Sequence, residues 1–207
     1  MRRLVHIPII HSEADMGSAR DTLRRTYIET RGQEAWDESR RAIAEFWDAL
    51  EDATASLDLD FSKVRVYQDG LPVCGIEDKI VRDLSGQGVP NYRIVLNLME
   101  RGAVLEGTED PKLLRREYEL LMRSLQSADD KTKIDWNEAA HTAQLEEVLD
   151  SRDRFIANRI DATLLPDETG ILFLGALHRA VDHLPSDIKV VSLSEMLEVP
   201  LRDGLIR

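Results

Sequence analysis

A single cysteine, Cys74, stands in the 207 residues, so no internal disulfide can form and a reducing compartment is expected. Nothing beside it in sequence supplies a base to lower a thiol pKa, which predicts a buried, inert Cys74 and not a nucleophile. Positive charge is also short. The chain has 27 Lys and Arg against 39 Asp and Glu, and the formal net charge of -12 repels phosphate backbones and anionic lipid, so nucleic acid is not an expected partner. No apolar run reaches the ~18 residues of a membrane span, so no membrane partner is expected either. Arg2-Arg3 precede a short apolar run that contains His6 and Pro8 and leads into charged residues without a small-residue cleavage site, which does not read as a signal peptide. The expected location is cytoplasmic.

Several catalytic signatures are missing as well. There is no Gly-x-x-x-x-Gly-Lys-Ser/Thr, no Gly-x-Ser-x-Gly and no His-Glu-x-x-His, and Gly86-Gln87-Gly88 runs into Val89-Pro90-Asn91, which breaks a dinucleotide fingerprint. One cysteine cannot build a thiolate zinc site.

What is present is an ordinary globular composition, 43% hydrophobic and 32% charged. It is read as one domain over residues 1–207 with a helical excursion at about 18–57. Gly170-Ile-Leu-Phe-Leu-Gly-Ala-Leu-His178 organises the rest: an apolar run after a turn reads as a strand buried on both faces. Leu4 to Ile10, Val64 to Tyr67, Ala103 to Leu105 and Ile188 to Ser192 read as further strands. Pro8 argues that the first of these ends early or bends there. Helices are expected from Ser18 to Thr30 with Gly32 as stop, from Gln33 to Leu57, from Glu77 to Ser85, from Asn91 to Arg101, and from Pro111 to Leu125 with Asp110 as cap. Two more follow, Trp136 to Ser151 and Arg152 to Leu164. Trp36, Ile43, Leu50 and Leu57 form a stripe on the second helix that packs on the sheet or on the preceding helix, or else joins two subunits in a homodimer. Strands alternating with helices predict a three-layer α/β fold, a mostly parallel sheet of about five strands with helices on both faces.

Open parallel sheets gather ligand sites beyond the carboxyl ends of their strands. His11 and Glu13 follow the first strand, Asp69 the second, Glu106 and Glu109 the third, and His178 the fourth. Two imidazoles with a carboxylate suit a divalent metal ion, with His11, His178 and Glu106 as ligands, or a metal-free acid–base pair. His6, inside a strand, reads as a packed histidine, and His141 and His183 as surface residues.

Arg152-Asp153-Arg154-Phe155-Ile156-Ala157-Asn158, followed by a strand ending in Gly175-Ala-Leu-His178, together with the opening Ile9-Ile10-His11-x-Glu13, resembles the erythromycin-esterase-like clan that includes TraB/Tiki and ChaN-type proteins. The chain departs from that pattern in lacking a glycine before His11 and in carrying Gln68-Asp69 at the second strand. The resemblance implies a site made of His11, Glu13, Arg154 and His178, with Arg152 or Arg154 as a fixed cation for an anionic intermediate. The resulting expectation is a hydrolase, metal-assisted or not, acting on a small ester- or amide-type substrate, against the alternative of a ligand-binding or protein-interaction domain. In either case His11 and His178 are expected to share one pocket with an acid from Glu13, Asp69, Glu106 or Glu109, and with Arg152 or Arg154 on its wall.

Overall fold

Strand β4 (Thr169–Gly175) buries every residue from Gly170 onward, as its unbroken apolar run requires. The computed structural model describes residues 1–10, 20–129 and 138–197. In it β4 is the middle strand of a five-stranded sheet of order β3-β2-β4-β1-β5, with β1 at Arg2–Ile9, β2 at Val64–Gln68, β3 at Val104–Glu106 and β5 at Ile188–Ser192. All four pairings are parallel. Gly170 suits the entry to β4 for a steric reason: a Cβ there would sit 2.6 Å from Leu4 Cδ1 and 3.2 Å from Tyr67 Cε2, so the Leu4 side chain would have to shift.

Pro8 lies in an interior strand and not at an edge. The register of β5 against β1 stops at His6 and Ser192, while β4 continues alongside to Ile9 and Gly175. At Pro8 one side of the strand therefore carries no ladder, and the missing N–H is tolerated there.

Strand residues alternate between two cores. Val5, Ile7 and Ile9 of β1, Val64 and Val66 of β2 and Ile171 and Phe173 of β4 share one core with helices α2 (Gln33–Ala55), α3 (Glu77–Gly86) and α4 (Pro90–Glu100), and with Leu193 of α7 (Leu193–Leu197). Leu4, Tyr67, Leu172 and Leu174 share the other with Ile156 and Ile160 of α6 (Glu138–Thr163) and with Leu164 just beyond it. This is the three-layer α/β fold. The connections from β1 to β2 and β3 run over the first face, and the return from β3 through α5 (Pro111–Asp129) and α6 runs over the second, as a common crossover handedness requires.

Gly32, at φ 87°, ends α1 (Arg20–Arg31) by returning its N–H to Ile28 O at 2.8 Å. The α2 stripe is absorbed by the chain itself. Phe46, Trp47, Leu50 and Leu57 lie in the main core, and Trp36 packs edge-on against Tyr27 at 5.4 Å. The sequence also divides residues 136–164 into two helices, whereas Glu138–Thr163 is one helix with no break at Arg152. Ser18, the expected start of the first helix, lies outside the described residues. Cys74 is exposed, not buried: it sits in the loop after Pro72, where its backbone N–H donates to Glu77 at 2.8 Å. Among the described residues no helix is long and apolar enough to cross a membrane.

Candidate functional site

The edge formed by the carboxyl ends of β2 and β4 is closed by a buried polar cluster. Asp69 leaves β2 and ties two strands together, its N–H donating to Phe173 O and its Oδ2 accepting from Gly175 N–H, both at 2.9 Å. Beyond it, Leu71 O accepts from the N–H groups of Thr108 and Glu109, and Val73 N–H donates to Glu109 O. These bonds draw the segment after β3 under the end of β2. Glu109 is fully buried as a result, and its Oε1 accepts from Gly70 N–H at 3.0 Å. Asp110 then caps α5, its Oδ1 accepting from Lys112 N–H at 2.7 Å, with Pro111 in the first turn.

Opposite this segment α6 presents two charged residues to the interior. Val148, Arg152, Ile156 and Ile160 follow one another at four-residue steps, so Arg152 occupies a place on the helix's buried stripe. Its Nε donates to Glu109 Oε2 at 2.7 Å, its Nη2 to Asp69 Oδ1 at 2.9 Å and to Glu109 Oε1, and its Nη1 to Glu117 Oε2 at 2.6 Å. The neighbouring Asp153 turns to the loop after β4, where Oδ1 contacts His178 Nδ1 at 2.6 Å and Oδ2 accepts from Arg179 N–H at 2.8 Å. His178 N–H closes the turn on Gly175 O at 3.0 Å. Its side chain is 5% exposed, with Nε2 3.7 Å from Asp69 Oδ2.

Among the described residues, Asp69, Glu109, Glu117 and Asp153 thus face a single guanidinium and one imidazole. Four carboxylates meet around these two groups in a largely buried place. Burial pushes the Glu109 carboxyl above the usual glutamate value against the lowering effect of Arg152. Burial alone would lower the imidazole of His178, but the Asp153 hydrogen bond and the charge of Asp69 outweigh it, and its pKa is raised from 6.5 despite Arg152. A histidine raised on folding stabilises the protein fully below its unfolded pKa, and that contribution is lost as pH rises through the folded pKa. In chelator-treated protein, Asp153→Asn is expected to remove most of this component. Urea unfolding of the wild type should lose stability upward from pH 6.5, and the variant's curve should be flatter over the same range. Parallel curves would show that Asp153 does not hold the proton on His178.

The site assembled here overlaps the expected one in part. His178, Asp69, Glu109 and Arg152 come together. His11 and Glu13 lie outside the described residues, although β1 and β4, the strands that precede His11 and His178, are parallel neighbours paired at Ile9 and Gly175. Glu106 is not a ligand of this cluster. It pairs across β2 and β3 with Arg65, and with Arg159 of α6 at 3.3 Å, because β3 aligns it with Tyr67 on the α6 face and not past the strand end. Arg154 is also elsewhere: it is exposed and bonds Asp150 one turn away at 2.9 Å, since its helix face points to solvent. Arg152 has no spare charge for an anionic intermediate, with three carboxylates on it. Sequence reasoning missed Asp153 and Glu117 as members. The signal for the first was available, a charged Arg-Asp pair interrupting the spacing of an otherwise apolar helix stripe.

Asp69, Glu109 and His178 each offer a ligand atom within 4.8 Å of the others. Asp153 on Nδ1 adds the outer carboxylate that commonly orients a metal-bound histidine. Two carboxylates and an imidazole are donor types that divalent cations take. Fold and cluster together define an open, doubly covered parallel α/β protein with a carboxylate–histidine centre at its strand ends. No protein-family model, curated protein or solved structure matches the chain.

Proposed function

We propose that the protein is a hydrolase of small ester- or amide-type substrates, with its reacting centre at His178 and a divalent cation as its partner. The observation that carries this reading is the geometry of the imidazole: Nδ1 is clamped by Asp153 at 2.6 Å while Nε2 faces Asp69 Oδ2 at 3.7 Å. That gap is too long for a direct hydrogen bond and suits two groups that share one ion or one water. His178 Nε2 and Asp69 would hold the cation, with Glu109 a weaker third ligand because Arg152 and Gly70 N–H already engage its oxygens. When bound, such an ion supplies a water of lowered pKa and polarises the substrate oxygen.

The chain's own residues do the rest. Asp153 keeps the proton on Nδ1, so the lone pair of Nε2 points toward Asp69. Arg152 balances Asp69 and Glu109, which lets two carboxylates approach each other in a buried place. The motif windows that resemble the erythromycin-esterase-like clan point to the same reading.

Titration of chelator-stripped protein with Mn2+, alongside hydrolysis of a p-nitrophenyl ester and an anilide panel, provides the test. The wild type should bind one equivalent and hydrolyse at least one probe, and Asp69→Asn should lose most of both. Absence of binding by the wild type, or hydrolysis unchanged in Asp69→Asn, would remove the proposal.

A further inference from the structure

Glu117 is the member of the cluster contributed by α5, and it stands at the rim: its side chain is 26% exposed, against 3% for Asp69, 0% for Glu109 and 5% for Arg152. An ion pair with one partner so near solvent adds little stability on its own. Its placement matters more than its strength. The guanidinium is a rigid planar fork, and two of its nitrogens, Nε and Nη2, already clamp Glu109 and Asp69. Glu117 takes Nη1, the third. With all three nitrogens engaged from two directions the plane of Arg152 has one orientation. That orientation in turn places Asp69, because Oδ1 accepts from Nη2 and so Oδ2 is the oxygen turned to Gly175 N–H and His178 Nε2.

We propose that Glu117 is a positioning residue for the site: by holding Nη1 of Arg152 it fixes the guanidinium, and through it the Asp69 carboxylate, opposite His178. The inference rests on the cation-assisted hydrolase reading of the same cluster. It requires the reach of the glutamate side chain and an acceptor at its end, and not the negative charge as such.

Three variants separate reach from charge. Glu117→Gln keeps an acceptor oxygen at the same reach, Glu117→Asp keeps the charge one methylene short, and Glu117→Ala removes both. Calorimetric titration of Mn2+ into the stripped proteins, with thermal unfolding followed in parallel, is the measurement. Removing direct partners of metal ligands commonly weakens binding on the order of 10–100-fold. Glu117 acts one step further out, through Arg152, so Glu117→Ala and Glu117→Asp should lose about tenfold, the low end of that range, while Glu117→Gln stays close to the wild type. Binding by Glu117→Asp equal to the wild type, or Glu117→Gln as weak as Glu117→Ala, would show that only charge acts and overturn the proposal. Should Glu117→Ala fail to fold, the Gln and Asp variants decide alone. A wild type that takes up no Mn2+ sinks the cation reading itself, an outcome recognisable before any variant is compared.

Discussion

Replacing Arg152 by methionine is expected to destabilise the protein by about 3–5 kcal/mol, the range seen when one partner of a buried ion cluster is removed. Methionine retains much of the side chain's length and apolar stem, so the loss reports charge and hydrogen bonding more than volume. Glu109 and Asp69, at 0% and 3% side-chain exposure, would be left facing each other without the guanidinium that now bonds both. The pH dependence has a definite sign. Burial already raises Glu109, and loss of Arg152 removes the two largest effects that lower it. A carboxyl raised on folding binds its proton more tightly in the native state, so stability falls as pH rises through the interval between unfolded and folded values. The Arg152→Met variant should therefore recover part of its deficit on acidification toward and below the ordinary glutamate value of 4.5. Urea unfolding of wild type and variant across that range checks it, and a deficit independent of pH would mean that lost packing dominates.

Substitution of His178 by asparagine is expected to lower hydrolysis by on the order of 10²–10⁴-fold, the contribution typical of a positioned imidazole. The fold should tolerate the change, because the His178 turn is also held by its own N–H to Gly175 O at 3.0 Å and by Arg179 N–H to Asp153 at 2.8 Å. The informative control is Arg154→Ala. Arg154 is 64% exposed and, among the described residues, pairs with Asp150 of its own helix, so the rate should not change. Rates measured at saturating Mn2+ on the most reactive ester probe separate the two. A His178→Asn variant as active as the wild type would place the chemistry elsewhere, and an Arg154→Ala loss of similar size would reinstate the helix surface as part of the site.

The residues that were legible as a site and those that were not differ in how far their position depends on the chain folding back. Asp69 and His178 sit next to strand ends that local sequence marks, a turn after Tyr67 in one case and the run before Gly175 in the other, so their place at the edge follows from the parallel sheet. Choosing among the acids after β3 was harder. Glu106 is nearest the strand yet faces Arg65 and Arg159, whereas Glu109, three residues on, is carried in by the bonds from Thr108 and Glu109 to Leu71. No spacing rule distinguishes them, because the deciding contacts are with a loop some 40 positions away. From sequence Arg154 was the named site residue and Arg152 the alternative cation, two residues apart in the chain. At 100° per residue that separation turns them to different faces, and only the packing of α6 on the sheet decides which face is inside.

By itself the sequence determined the class of fold and its centre: a continuous apolar run in Ile171–Leu174 can be satisfied only where both faces are covered, and helices of the observed periodicity between short strands leave parallel pairing as the economical arrangement. It also determined the acidic balance, which disfavours nucleic acid. Tertiary structure alone decided that Arg152 neutralises Asp69 and Glu109, that Asp153 rather than a surface partner takes His178 Nδ1, and that Glu117 reaches in from α5. The reason is physical. Apolar burial is short-ranged in sequence and can be read from periodicity, while a buried charge is stable only beside partners that long-range pairing brings to it, and those partners are scattered over 109 positions from Asp69 to His178.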